Sequence, residues 1–153
     1  MTQHPLFRLL DDTVGPMLRR PPQLQVAAVC TRAAPRGGCD VLLVTSRGTG
    51  RWILPKGWPM AGRTLAQAAC QEAWEEAGVR GNVDPDPLGH YTTEKVTDGG
   101  LPMPCRVEVF RVHVHDVRKD FPEAGQRTRR WVSPAEAATM VREPGLRALL
   151  LTL

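Results

Sequence analysis

The chain has no C-x-x-C pair. Its four cysteines, Cys30, Cys39, Cys70 and Cys105, stand far apart, and their spacing gives no support to a zinc site. Two of them fall in apolar, strand-like or helix-like settings. We therefore expect all four to be reduced and structural, and the protein to be cytoplasmic. No apolar run is long enough to cross a bilayer. The opening segment "MTQHPLFRLLDDTVGPMLRRPP" carries a short apolar patch, but Asp11 and Asp12 interrupt it. It reads as neither a secretory signal nor a membrane span, so residues 1–22 are expected to form an N-terminal arm with no membrane partner. Internal repeats, low-complexity runs and long linkers are also missing, which leaves 23–153 as a single domain. No recognised nucleic-acid motif accompanies the basic balance. A formal net charge of +4 and a pI near 9.2 suit an acidic partner, but charge alone is satisfied by an arginine-rich surface with no specific nucleic acid.

What is present is an ordinary globular composition, 42% hydrophobic and 24% charged over 153 residues. "LQVAAVCT" (24–31) has almost no polar interruption and reads as a central strand. "VLLVTS", the short "WILP", "LGHYTTEKV", "RVEVFRVHV" and "RRWVS" read as further strands. Lys56 to Arg63 reads as a loop. Thr64 with Gln67 gives a capping box, so a helix should begin at Leu65, and Gly78 is placed to end it. Ser133, Pro134 and Glu136 announce a second capped helix running to about Val141, with Pro144 and Gly145 as breakers before a last helical turn or two. Strands and helices in this order indicate an α/β fold, a mixed sheet with helices packed on it.

The first helix carries the chemistry. At about 100° per residue, Glu72, Glu75 and Glu76 share one edge. Ala66, Ala69, Cys70, Ala73 and Ala77 fall on a mostly separate arc, suited to close packing on a sheet. Like charges at this spacing cost only a few tenths of a kcal/mol, so a plain solvated acidic face is the bland alternative. The preceding loop weighs against it. Gly57 permits close backbone approach and Lys56 supplies phosphate charge. Hard cations bind one or two carboxylates together with substrate phosphates.

These residues resemble the Nudix hydrolase signature G-x(5)-E-x(7)-R-E-U-x-E-E-x-G-U, with U apolar. Gly57 matches the first glycine, Glu72 the glutamate after the arginine, Ala73 the apolar position, Glu75 and Glu76 the paired glutamates, and Gly78 and Val79 the end. Two positions depart: Arg63 stands where the signature has glutamate, and Gln71 where it has arginine. "AAVCTRA", "VLLVTSRGTGRWILPKGW" and "FPEAGQRTRRWVSPAEA" look like the diphosphoinositol polyphosphate phosphohydrolase-like branch. The resemblance implies the Nudix fold, an α/β/α sandwich around a mixed sheet. It implies hydrolysis of a phosphoanhydride in a nucleoside diphosphate derivative, a dinucleoside polyphosphate or a diphosphoinositol polyphosphate, with a catalytically impaired Nudix-like binding module as the alternative. Glu72, Glu75 and Glu76 would be catalytic and, with the Gly57 carbonyl, would hold Mg2+ or Mn2+. Glu72 or Glu76 would be the general base, with Glu123 and then Glu94 as alternatives on later segments. Arg32, Arg47, Arg51, Lys56 and Arg63 are the expected substrate-binding cations, with Arg127, Arg129 and Arg130 behind them. Trp52 and Trp58 read as packing residues, and His113 and His115 as exposed strand residues. The partner is then an anionic phosphoanhydride, and the assembly a monomer or homodimer.

Overall fold

The computed structural model describes residues 21–96 and 99–153, so the expected N-terminal arm lies almost wholly outside the described residues. The strands are β1 (Gln23–Ala33), β2 (Cys39–Thr45), β3 (Trp52–Ile53), β4 (Lys56–Gly57), β5 (Val79–Val83), β6 (Gly89–Val96), β7 (Pro102–Val117) and β8 (Arg129–Val132). The helices are α1 (Leu65–Ala77), α2 (Pro134–Met140) and α3 (Pro144–Leu150). The sheet runs β3-β2-β1-β7-β5, with β4 also paired to β1, β6 to β7 and β8 to β2. Among the described strands only β1 and β7 pair in parallel; the other pairs are antiparallel.

Strand β1 explains its own apolar run. Val26 to Cys30 are fully buried because both faces of the sheet are covered. Val26, Ala28 and Cys30 face α1 together with Leu42, Val44, Phe110 and Val112. Ala27 and Val29 face α2 and α3 with Leu43, Leu54, Val107, Ala137, Leu146 and Leu150. The three layers are the expected α/β/α sandwich. On α1 the buried apolar positions are Ala66, Ala68, Ala69, Ala73 and Ala77, whose small side chains bring the helix axis close to β1.

Helix α1 begins and ends where its sequence says it should. The Gln67 amide donates to Thr64 Oγ1 at 3.1 Å, and the Thr64 amide donates to Gln67 Oε1 at 2.9 Å. Gly78 closes it at φ 67, donating to the Ala73 and Trp74 carbonyls. A side chain there would also collide with Phe121 and the Arg118 carbonyl.

Four expectations change. Lys56 and Gly57 are not loop but a two-residue strand on β1, with Gly57 opposite Val26. Val79–Val83 is a strand that its Arg, Gly and Asn concealed. The strand expected as "RVEVFRVHV" extends over sixteen residues, because β6, β1 and β5 pair along different parts of it. Pro144 does not break a helix but occupies the first turn of α3, where its missing N–H costs nothing.

Candidate active site

The short β4 strand fixes the site. Its pairing with β1 carries Gly57 beneath the carboxyl end of α1, so closely that a Cβ on Gly57 would overlap the Glu72 carboxylate. The Lys56 amide donates to Glu76 Oε2 at 3.2 Å. Glu72 and Glu76 are therefore buried, at 9% and 6% exposure, which rules out a solvated acidic face. Glu75 is half-buried at the rim and accepts from Gln71 Nε2 at 3.0 Å.

A strap between β7 and β8 supplies the rest. It is tied to the C-terminal end of α1 by the Arg118 amide on the Gly78 carbonyl (2.8 Å) and the Glu123 amide on the Glu75 carbonyl (3.0 Å). Arg129 donates to the Ala77 carbonyl at 2.8 Å and lies over Phe121, giving the helix C-terminus the cation its own last turn lacks. The strap lays Arg127 along the carboxylates. Its guanidinium donates to Glu76 Oε1 at 3.2 Å, Glu123 Oε1 at 3.3 Å and the Thr45 carbonyl at 3.1 Å, with only 7% of the side chain exposed.

Negative charge outweighs this one guanidinium. Burial pushes the Glu72 carboxyl up to about 7; Glu75 and Glu123 add to the rise, and Arg127 and Lys56 oppose it. Burial likewise pushes Glu76 up to about 7, against the pull of Arg127, with Glu72 and Glu123 reinforcing the rise and the Lys56 amide bond opposing it. Among the described residues no three His, Cys, Asp or Glu side chains already stand as a closed metal cage. The donors nonetheless suit a hard cation. They are all oxygens, Glu72 accepts no hydrogen bond from another described residue, and the glycine opposite it leaves the carboxylate room.

The five expected substrate-binding cations are not gathered into one cluster. Arg32 stacks over Trp131 at 4.0 Å. Exposed Arg47 donates to Gln126 at 3.1 Å and stands 3.5 Å from Glu123. Arg51 donates to Glu143 at 2.7 Å. The Lys56 amine donates to buried Gln25 at 2.9 Å, and burial lowers its pKa. Arg63 donates to Gln71 at 3.4 Å. His113 meets Asp84 at 3.0 Å. Sequence reasoning held Arg127 as a phosphate clamp and missed its place on Glu76. It missed Gln25, Thr93 and Glu143 altogether; each finds its partner only through the fold.

The NUDIX domain family profile matches residues 21–151. Nudix hydrolase 13, mitochondrial, of Arabidopsis thaliana is 31% identical over 116 residues, covering 72% of this chain and 57% of that protein. Nudix hydrolase 12, mitochondrial, of the same plant is 34% identical over 110 residues, covering 67% and 52%. The chain thus spans little more than half the length of these relatives. A solved C. elegans Ap4A hydrolase binary complex superposes with a TM-score of 0.61 at 22% identity, covering 84% of this chain and 93% of that one. A NUDIX hydrolase from Nitrosomonas europaea gives 0.64 at 23%, covering 86% and 87%. At those identities the likeness concerns the fold, and it agrees with the signature and the family match: the chain belongs to the Nudix family.

Proposed function

We propose that the protein is a metal-dependent pyrophosphohydrolase that cleaves a phosphoanhydride bond in a nucleoside diphosphate derivative, a dinucleoside polyphosphate or a diphosphoinositol polyphosphate. The observation that carries this reading is the buried Glu72–Glu76 edge over Gly57, with more negative charge than Arg127 neutralises. Glu72, Glu75, Glu76 and the Gly57 carbonyl would hold Mg2+ or Mn2+. A divalent cation there supplies positive charge against phosphate oxygens and acidifies water.

The chain's own groups do the remainder. Glu72, which accepts no hydrogen bond from another described residue, is better placed than Glu76 to take the proton of an attacking water. Glu76 is held by Arg127 and the Lys56 amide, and so orients. Glu123, bonded to the same guanidinium, keeps the strap closed over the helix end. The dispersal of the five expected cations favours a nucleotide over the more densely charged diphosphoinositol polyphosphate. The name of the Ap4A hydrolase, a structural neighbour, points the same way. A cytoplasmic location belongs to this reading and is supported by the four free thiols; a fluorescent fusion found in an organelle would overturn that part.

The test is product release from diadenosine polyphosphates, ADP-ribose, nucleoside triphosphates and a diphosphoinositol polyphosphate, with Mg2+ and with Mn2+, beside a Glu75→Gln, Glu76→Gln double variant. Metal-dependent turnover abolished in the variant is the expected result. Binding without turnover on every substrate would replace the enzyme by a binding module.

A further inference from the structure

We propose that the opposite flank of α1 is a second, metal-independent anion site that takes a phosphate group. Helix α1 has three faces. The alanines pack on the sheet, the glutamates line one flank, and Gln67, Cys70, Gln71 and Trp74 fall within roughly 100° on the other. Between that other flank and β5 runs a groove of about 820 Å3, lined among others by Arg63, Gln71, Trp74, Arg80, Gly81 and His115. No aspartate or glutamate lines it.

The positive charge in the groove is unspent. Arg47, Arg51, Arg106, Arg118, Arg127 and Arg130 each have a carboxylate partner. Among the described residues Arg63 and Arg80, like several other arginines, have none; what sets these two apart is that they line one groove that no carboxylate enters. Arg63 reaches only Gln71. Arg80 lies opposite Asp116 in the β5–β7 register, but Asp116 is taken by Arg118 at 2.6 Å. Arg80 stacks instead on Trp74, 4.0 Å from the ring centroid. The two departures from the family signature fall on this flank. A glutamate at 63 and an arginine at 71 would make a neutral pair; Arg63 and Gln71 leave a net positive charge. Among the described strands β5 pairs only with β7, and its residues Val79, Arg80, Gly81 and Val83 line the groove. Two guanidiniums suited to bidentate phosphate contact, an imidazole and two side-chain amides form a donor set for a phosphate or diphosphate anion.

The site touches the proposed hydrolase chemistry only through the Gln71–Glu75 hydrogen bond and needs no metal, so each can fail alone. The experiment is a titration of the protein in EDTA with inorganic pyrophosphate, followed by amide NMR shifts. Without a divalent cation the glutamate flank repels the probe, and binding reports the groove. We expect saturable shifts at Gly62, Gln71, Arg80 and Gly81 but not at Lys56 or Gly57. Affinity should weaken by about tenfold in an Arg63→Ala, Arg80→Ala variant and stay unchanged in Glu76→Gln, whose partners lie outside the groove. Inorganic phosphate and adenosine monophosphate run in parallel. Either one binding at these residues supports the site, and the tighter identifies a free anion or the phosphate end of a nucleotide as the ligand. No saturation by about 20 mM, shifts confined to other residues, or an affinity unaltered in the arginine variant would overturn the proposal.

Discussion

Each face of the sheet holds an arginine against a buried glutamate, and the two pairs differ in what surrounds them. On the α1 face, Arg127 and Glu76 are equally buried, at 7% side-chain exposure, and lie 3.2 Å apart. Glu72, Glu75 and Glu123 crowd the same region, so negative charge is left over. On the α3 face, Arg51 meets Glu143 at 2.7 Å, and Thr93 donates to the same carboxylate oxygen at 3.0 Å. One carboxylate meets one guanidinium there, and the pair ties the loop before β3 to the start of α3. Matched charge stabilises the fold, whereas unmatched charge leaves a position for a cation.

The largest expected effect comes from removing the mismatch. Glu72→Gln or Glu76→Gln keeps the shape and deletes one charge. We expect turnover to fall on the order of 1,000-fold, about 4 kcal/mol of transition-state stabilisation, with the thermal midpoint unchanged or raised. Steady-state kinetics beside thermal unfolding separate the two. A midpoint that falls as steeply as the activity would make this pair as structural as the other.

Breaking the matched pair should do the reverse. Glu143→Ala strands Arg51 and removes the acceptor of Thr93, so we expect a loss of about 3 kcal/mol in denaturant-derived stability and a kcat within about fivefold of wild type. A collapse of kcat in fully folded protein would mean that the α3 face belongs to the active site.

Titration sharpens the contrast. Glu72 and Glu76 have folded pKa values of about 7 against 4.5 for a free carboxyl. Between those values the folded state binds more protons than the unfolded one, so stability falls as pH rises. The contribution is fully present below about 4.5 and lost above about 7. We expect the metal-free protein to lose on the order of 3 kcal/mol for each of the two carboxyls across this window. Glu72→Gln should flatten the slope, and a saturating divalent cation at pH 8 should restore the stability. An unchanged slope in the variant would place the titration elsewhere.

The sequence announces what is encoded locally. Three glutamates at helical spacing, a capping box at Thr64 and Gln67, and the apolar run of β1 are all short-range signals, and each holds in the fold. The groups that give the glutamates their character come from far along the chain. Arg127 is 51 residues from Glu76, Gln25 is 31 from Lys56, and Glu143 is 92 from Arg51. No periodicity links such pairs; topology does. The two-residue β4 is equally silent, because a strand so short has no alternation to read and exists only through its pairing with β1. That is why the carboxylate edge was legible and the scattering of the five expected phosphate-binding cations was not.

The smallest effect asks how far the unmatched charge extends along α1. Gln71 accepts from Arg63 at 3.4 Å and donates to Glu75 at 3.0 Å, so it stands between the cationic flank and the carboxylates. Gln71→Leu keeps the bulk and removes both bonds. The Glu75 contact is on a half-buried rim, where a hydrogen bond to a carboxylate contributes about 1.5 kcal/mol net. If Glu75 works alongside Glu72 and Glu76, its loosened side chain should lower kcat by about fivefold and raise the metal concentration needed for half-maximal activity, while KM for substrate changes little. If Glu75 is only a rim residue, the variant will lose a fraction of its stability and keep its metal requirement. The half-saturating metal concentration is therefore the quantity to measure. It responds to the geometry of Glu75 and not to the bulk of residue 71, and it decides whether the unmatched charge spans three glutamates or only the two that are buried.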